Sequence, residues 1–320
     1  MKKLMDDMRL IVKCCMLYYE EDLNQEKIAQ ELGLSRPTVS RMLKEARESG
    51  IVEIRINSPI NSNYRSVERQ MEKLLGLKEV IIVDDKKDPL SQKVELGYAA
   101  ARYLERVLKD KDIIGVSMGT TIKEVARFVR DSHMVNTTFL PIIGGVGQIR
   151  MDIHPNQIAM DLARAFGGNF KLLHAPAVIS DIGIKENFKT EKGIKQILDI
   201  IDKVTIALVG IGVPTEKSST MMATGYFNEA DMETLRKKKA VGDICLQFFD
   251  INGDTSQFEF NKKVFGIELS RLKKIGRVVG IAGSVEKVDA IIGAARGKYI
   301  NVLVTNQKTS EFILNAYGGK

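Results

Sequence analysis

One segment of the sequence has the residue types that a phosphate-binding loop needs. Residues 117–121 read SMGTT and stand between a predicted strand and a predicted helix. Gly119 would let the backbone approach a ligand closely. The hydroxyls of Thr120 and Thr121, with the free amides of a first helical turn, could surround a phosphate. The alternative is an ordinary helix cap.

A lysine near the C-terminus stands where local helix stability does not favour it. Residues 283–287, GSVEK, follow the predicted strand 278–282, so Lys287 falls in the first turn of the next helix. A positive charge at that end opposes the helix dipole. A bound anion beside Lys287 would account for it, and a solvated surface lysine is the alternative.

Two further glycine-rich loops follow predicted strands. Residues 144–147 read GGVG and residues 210–212 read GIG. The first could be a flexible turn. The second lacks the third glycine and the acidic residue of a dinucleotide fingerprint, which argues against an NAD site. We therefore expect no cofactor.

The N-terminal segment has the pattern of two crossing helices. Asn24 could cap a helix over residues 25–32, Gly33 suits its C-cap, and Ser35 could cap a third helix that ends near Ser49. The apolar residues of both helices fall where the helices would pack against each other. This spacing predicts a helix-turn-helix unit.

The exposed face of the third predicted helix is rich in groups that contact DNA. Arginine can bind guanine through two hydrogen bonds, and serine, threonine and lysine can hold phosphates. The alternative is a packing or dimerisation unit with a solvated basic face. Residues 51–56 alternate like a strand and predict a hairpin that would form a wing near Arg55. We predict DNA contacts from Gln25, Ser35, Arg36, Thr38, Ser40, Arg41 and Lys44.

The elements that must position these residues divide the chain in two. Residues 1–57 form the helical unit, and the polar stretch 57–63 is a candidate linker. Residues 58–320 alternate short apolar strands with amphipathic helices, which predicts a doubly wound α/β domain that binds ligands at the carboxyl ends of its strands. The predicted strands are 79–83, 113–116, 138–142, 205–209, 278–282 and 301–305, and the predicted helices include 93–108, 122–129, 158–165, 193–200 and 285–295.

Composition excludes several classes of protein. Among 320 residues, of which 44% are hydrophobic, no apolar run reaches the ~20 residues of a membrane helix. Asp6 and Asp7 precede any apolar stretch, which argues against a secretory signal, so we expect a cytoplasmic protein. Cys14, Cys15 and Cys245 lack the spacing of a zinc site, and we expect no metal. The net charge of +7 permits a polyanionic partner.

Several segments resemble, in the same order, characteristic segments of the SorC family of bacterial sugar-responsive regulators. The resemblance covers nearly the whole chain, and residues 226–229 and 240–245 are particularly similar to the deoxyribonucleoside-regulator branch. It implies an effector domain related in fold to ribose-5-phosphate isomerase and glucosamine-6-phosphate deaminase. The segments are residues 23–56, 116–126, 144–147, 226–232, 240–250, 265–269 and 282–307.

The resemblance also implies roles for single residues. It matches the 117–121 loop and Lys287 to the phosphate of an effector, Asp243 to sugar hydroxyls, and the stretch that contains Gln157 to an amide contact. The cations that some relatives carry before the paired glycines and before residues 225–227 are replaced here by Ile143 and Ala223. The predicted effector site is Gly119, Thr120, Thr121, Gly144, Gly145, Gln157, Asp243 and Lys287.

These observations predict a regulator of a carbohydrate operon. Residues 1–57 would bind operator DNA, and residues 58–320 would bind a sugar or sugar phosphate. Dimers or tetramers are expected, because one helix-turn-helix makes few base contacts, and we expect a repressor that its effector releases. The alternative is a sugar-phosphate isomerase or deaminase with an added N-terminal module, in which Asp243 would be the base. We predict no catalytic residue.

Overall fold

The computed structural model of the chain describes residues 2–52, 64–130, 136–145, 151–214 and 225–318. The chain divides into two units, Met1–Ser62 and Asn63–Lys320. Within the described residues, no helix is both long enough and apolar enough to cross a bilayer.

Three helices build the N-terminal unit: α1 (Lys2–Tyr19), α2 (Gln25–Leu32) and α3 (Arg36–Glu48). Their common core consists of Ile11, Cys14, Cys15, Leu17, Ile28, Ala29, Val39, Leu43 and Ala46. The cysteines are free and buried, and act as small apolar side chains.

The predicted caps of the turn between α2 and α3 are present. The Asn24 side chain accepts a hydrogen bond from the Lys27 amide at 2.9 Å, and the Ser35 hydroxyl accepts one from the Thr38 amide at 3.3 Å. Gly33 has a φ of +66°, the left-handed conformation that a helix C-cap requires. The predicted wing near Arg55 and the predicted linker 57–63 lie outside the described residues, which stop at Val52 and resume at Tyr64.

The described part of the second unit contains a seven-stranded sheet whose paired strands are all parallel. A separate antiparallel hairpin is made by β6 and β7. The order across the sheet is β1-β9-β8-β5-β2-β3-β4. The strands are β1 (Glu79–Val83), β2 (Ile113–Val116), β3 (Thr138–Pro141), β4 (Asn169–Phe170), β5 (Ile206–Gly210), β6 (Gly242–Ile244), β7 (Gln247–Phe249), β8 (Arg277–Ile281) and β9 (Val302–Asn306).

Helices cover both faces of this sheet, as the sequence predicts. Side chains of β5 alternate between the two cores: Leu208 packs on one face, and Ala207 and Val209 pack on the other. The helices are α4 (Arg65–Leu75), α5 (Pro89–Val107), α6 (Pro155–Phe166), α7 (Ile182–Thr190), α8 (Lys192–Ile201), α9 (Glu229–Lys237), α10 (Leu269–Leu272), α11 (Val288–Arg296) and α12 (Gln307–Tyr317).

Two of the predicted helices differ in detail. The segment Ile122–Phe128 is a 3₁₀ helix rather than an α-helix. A short 3₁₀ turn, Val285–Lys287, precedes α11, so Lys287 is the N-cap of that helix and not a residue of its first turn.

Helix α4 protects the exposed edge of the sheet. The carboxylate of Glu68 accepts a hydrogen bond from the Ile82 amide at 2.9 Å, and that of Glu72 accepts one from the Val80 amide at 3.3 Å. Both amides belong to the edge strand β1, whose unpaired groups could otherwise bind another chain. Met71, on the same helix, is fully buried in the core.

These contacts predict where the chain can be shortened. A fragment of residues 58–320 should fold, because it keeps α4 and the whole sheet. A fragment of residues 78–320 should be unfolded or aggregated, because it loses the Met71 packing and exposes the edge of β1. Circular dichroism and light scattering of both fragments test this expectation. An aggregated 58–320 fragment would contradict it.

Candidate functional site

A crevice opens between two neighbouring strands from whose ends the chain continues toward opposite sides of the sheet. Strands β2 and β5 pair in parallel, with Val116 opposite Leu208. After β2 the chain continues to β3 on one side, and after β5 it continues to the β6–β7 hairpin and then to β8 on the other side. Such a point at the carboxyl edge of a parallel sheet is the usual ligand site of α/β folds.

The pocket in this crevice combines segments that are distant in the sequence. Loops after β2 and β5, the turn of the β6–β7 hairpin and the segment after β8 all contribute. The lining residues are Ser117, Met118, Gly119, Thr120, Thr121, Ile122, Gly210, Ile211, Gly212, Val213, Asp243, Cys245, Leu246, Ile281 and Lys287. Five predicted effector residues are thus brought together: Gly119, Thr120, Thr121, Asp243 and Lys287.

The loop after β2 presents unused hydrogen-bond donors. Gly119 has a φ of +152°, which a residue with a side chain adopts only under strain. Thr120 and Thr121 are half-buried. Among the described residues, neither their hydroxyls nor their amides find a hydrogen-bond partner, and Thr121 forms no side-chain cap on the 3₁₀ helix. The loop can therefore donate to a ligand.

Asp243 is held in a close-packed position. Its backbone exchanges two hydrogen bonds with Gly212, at 3.0 and 3.1 Å, and its carboxylate accepts one from the Leu246 amide at 3.1 Å. A Cβ atom on Gly212 would lie 2.0 Å from the carboxylate oxygen, so only glycine fits there. The second glycine of the GIG segment, Gly212, therefore leaves the space that the Asp243 carboxylate occupies.

Asp243 and Lys287 are opposite charges that lose water without pairing directly. Burial raises the pKa of Asp243 to about 6, against the lowering effects of the Leu246 amide and of Lys287. Burial lowers the pKa of Lys287 to about 8, although Asp243 opposes that shift. In the described part of the chain, the Lys287 ammonium has no ion-pair partner within 4.0 Å. Both side chains are thus available to a ligand.

The hairpin turn beside Asp243 was not predicted. Cys245 and Leu246 have φ values of +54° and +59° in the two-residue turn between β6 and β7. Asparagine and glycine normally occupy such positions, so the residue types give no indication of the turn. Burial raises the pKa of the Cys245 thiol, which keeps it protonated.

A second lysine near the pocket was also missed. Lys93 lies on α5 and lowers the pKa of Lys287 by like-charge repulsion. One turn further along α5, Leu96 approaches Gly283 and Gly97 packs against Glu124. Lys93 itself is half-buried. Its spacing along an amphipathic helix is that of an ordinary polar residue, which is why the sequence does not single it out.

Three predicted effector residues lie outside the pocket lining. Gly145 exchanges backbone hydrogen bonds with Ala175 and Ala177, each at 2.7 Å, and Gly144 bonds to the Phe265 carbonyl at 2.9 Å. Gln157, on α6, donates to Asp161 at 2.8 Å. The neighbouring segments 146–150 and 215–224, which include Ala223, lie outside the described residues. The roles of these three residues remain predictions.

The outer face of α3 carries the predicted DNA contacts. Arg36, Ser40, Arg41 and Lys44 are exposed, and Lys44 lies 3.6 Å from Glu48 in a surface ion pair. Ser35 and Thr38 join their hydroxyls at 2.8 Å at the start of the helix, and Gln25 opens α2. No hydrogen bond or ion pair to the described residues engages the side chain of Arg36 or Arg41.

Family models match both units. A Crp-like helix-turn-helix domain matches residues 17–61, and a sugar-binding domain matches residues 61–315.

Relatives match over nearly the full length. The sorbitol operon regulator of Klebsiella pneumoniae is 36% identical over 314 residues, which cover 97% of this chain and 98% of the relative. The deoxyribonucleoside regulator of Bacillus subtilis is 32% identical over 308 residues, covering 96% and 97%. The crystal structure of the full-length Klebsiella regulator superposes with a TM-score of 0.73 at 35% identity, over 97% of this chain and 99% of that one.

The pKa of Asp243 predicts a pH-dependent stability. Native Asp243 keeps a proton between about pH 4 and its folded-state pKa of about 6, where the unfolded chain has released it. The free energy of unfolding should therefore fall as pH rises through this window. Asp243→Asn should remove up to about 3 kcal/mol of that fall.

Urea unfolding of both proteins at pH 4.5 and 6.5 measures the difference. Asp88→Asn is the control, because hydrogen bonds from Ser91 lower the pKa of Asp88, so this carboxyl titrates below the tested pH range and its removal should leave the difference between pH 4.5 and 6.5 nearly unchanged. An unchanged slope in Asp243→Asn would contradict the burial argument.

Proposed function

The chain belongs to the SorC family of sugar-responsive transcriptional regulators, and from this membership we propose what each of its two sites binds. It is a transcriptional regulator with a helix-turn-helix DNA-binding domain and a sugar-binding domain. We place the domain boundary at residues 57 and 58. The protein acts in the cytoplasm as a homo-oligomer that binds paired half-sites.

The proposed DNA contact is the outer face of α3. Residues 1–60 contain ten basic and ten acidic residues, so the unit as a whole has no excess positive charge. Binding then depends on where the cations are. Arg36 and Arg41 are exposed little more than one turn apart on α3 and can reach base edges, while Lys44 follows as a phosphate contact.

The proposed effector is a sugar or polyol that carries one phosphate. The observation that supports it most is the combination of free donors at Thr120 and Thr121 with Lys287, whose ammonium lacks an ion-pair partner in the part of the chain that the structure describes. A phosphate would accept from both. The relatives are named for a sorbitol operon and for deoxyribonucleosides, which suggests a polyol or pentose as the carbon skeleton.

Asp243 would bind the hydroxyls of the same ligand. Its carboxylate keeps lone pairs free beyond the bond from the Leu246 amide. A phosphate beside Lys287 would favour the charged ammonium, and a hydroxyl donor at Asp243 would favour the carboxylate. Ligand binding would thereby restore the ionised forms that burial disfavours.

Among the described residues that line the pocket, Lys287 is the one cation, so a second phosphate has no comparable partner there. The positions where some relatives have cations hold Ile143 and Ala223, and a buried phosphate without a cation is strongly penalised. A sugar bisphosphate should therefore bind poorly. We also propose that the protein has no enzymatic activity, and turnover of ribose 5-phosphate or glucosamine 6-phosphate by the purified chain would contradict this.

The DNA proposal predicts two kinds of variant. Arg36→Ala and Arg41→Ala should each lose roughly 1–3 kcal/mol of specific binding, since a base contact is removed. Lys44→Ala should weaken all DNA sequences alike. Fluorescence anisotropy with a duplex selected from a random library by the wild-type protein, and with a scrambled duplex, separates the two effects.

Exposed Lys274, on the sugar-binding domain, supplies the matched control as Lys274→Ala. If the arginine variants kept wild-type affinity and sequence preference, α3 would not be the recognition helix.

The effector proposal predicts a charge-dependent loss. Lys287→Ala should weaken a sugar monophosphate by roughly 1.5–3 kcal/mol, the value of a hydrogen bond to a charged group, and should barely change binding of the neutral sugar. Lys93→Ala should weaken the monophosphate by a smaller amount.

Calorimetry with ribose 5-phosphate, sorbitol 6-phosphate and their unphosphorylated forms measures both effects, with Lys274→Ala as the control. Tightest binding of a bisphosphate, or an unchanged monophosphate affinity in Lys287→Ala, would show that the phosphate lies elsewhere.

A further inference from the structure

An apolar stripe runs along α1 on a side that the described part of the N-terminal unit does not cover. Met8, Val12, Met16 and Tyr19 have exposed fractions of 49%, 40%, 47% and 36%. Their spacings of four, four and three residues place them in one row on the helix. The side of α1 that enters the core of the unit is a separate one and consists of Ile11, Cys14, Cys15 and Leu17.

A contiguous row of this kind indicates an interaction surface. Single exposed apolar side chains are ordinary, whereas a continuous patch on a water-facing helix usually marks a binding surface. The row spans eleven residue steps, or about 16 Å along the helix. It has the length and width of a contact with one other helix.

The stripe is self-complementary when two copies of α1 lie antiparallel. With a two-fold axis near residue 14, Val12 of one copy faces Met16 of the other, and Met8 faces the region of Tyr19. Such a symmetric contact uses the same patch on both copies.

The charges beside the stripe favour the same arrangement. Arg9 and Glu20 lie on one flank of the row, about three turns apart, and both are exposed. Neither has an ion-pair partner among the side chains that the structure describes, which on α1 begin at Met8. Antiparallel pairing brings Arg9 of one copy beside Glu20 of the other, whereas parallel pairing would leave these opposite charges about three turns apart.

We propose that the stripe of Met8, Val12, Met16 and Tyr19 joins the DNA-binding domains of two copies of this chain through an antiparallel α1–α1 contact. The inference rests on the proposed oligomer but not on the identity of the sugar. The patch is smaller than the ~800 Å² per partner of a stable stand-alone dimer. It would therefore form within an oligomer that a second interface also holds, where the effective concentration is high.

Disulfide trapping in the full-length chain tests this contact. In the double variant Val12→Cys/Met16→Cys, mild oxidation should convert most of the 35.7 kDa chain into a species of twice that mass. Peptide mapping should find the new thiol at position 12 joined to the one at position 16 of the other copy. The controls are the wild-type chain, whose cysteines are buried, and Leu90→Cys, which places a thiol on an exposed residue of the other unit.

A charge swap in the same background tests the orientation. Arg9→Glu should lower the cross-linking yield several-fold, and Arg9→Glu/Glu20→Arg should restore it. Thermal melting of the reduced variants, followed by circular dichroism, shows that they are folded. If selection with the wild-type chain yielded no specific duplex, the proposed function would fail, whereas the cross-link would still form.

Three results would overturn the proposal. The first is the absence of a cross-linked dimer from the double variant. The second is a dimer joined mainly between the two copies of position 12, which requires parallel helices or an antiparallel register centred on residue 12 instead of near residue 14. The third is protection of the new thiols from alkylation without any dimer, which would mean that another part of the same chain covers the stripe.

Discussion

The parallel pairing of β2 with β5 is the contact on which the pocket depends. It places the end of β2 at Val116 beside Leu208 of β5, although more than ninety residues separate them. Because the chain leaves the two strands toward opposite sides of the sheet, the described part of the chain leaves the space between their carboxyl ends open. The loop of residues 117–121 after β2 and the GIG segment after β5 line the two sides of one crevice.

Burial in this crevice determines the electrostatics of the site. Asp243 and Lys287 each move toward the neutral form because each loses water, and their mutual attraction only partly opposes this. A direct ion pair would satisfy both groups and leave little for a ligand. Their separation instead leaves an acceptor and a cation available, which suits a ligand with hydroxyls at one end and an anion at the other.

The structure of the N-terminal unit depends on local interactions rather than on the pairing of distant strands. Its structure is local: three short helices, two side-chain caps and a core of small and medium apolar side chains. Its basic and acidic residues balance, so in the proposed function DNA affinity would depend on the position of a few arginines and on the pairing of two units. In that proposal, the effector site would influence DNA binding by changing how copies of the unit are presented, which would couple the two sites reciprocally.

The sequence by itself determined the features whose causes are local. Asn24, Gly33 and Ser35 act on groups within five residues, so the helix-turn-helix could be predicted, as could the alternation of strands and helices. The tertiary structure decided which loops meet, because local periodicity does not determine the order of the strands across the sheet. It brought Asp243 to Lys287, left Gly144, Gly145 and Gln157 outside the pocket lining, and added Lys93 and the Cys245–Leu246 turn. That turn holds a left-handed backbone without glycine because packing, rather than intrinsic preference, determines its conformation.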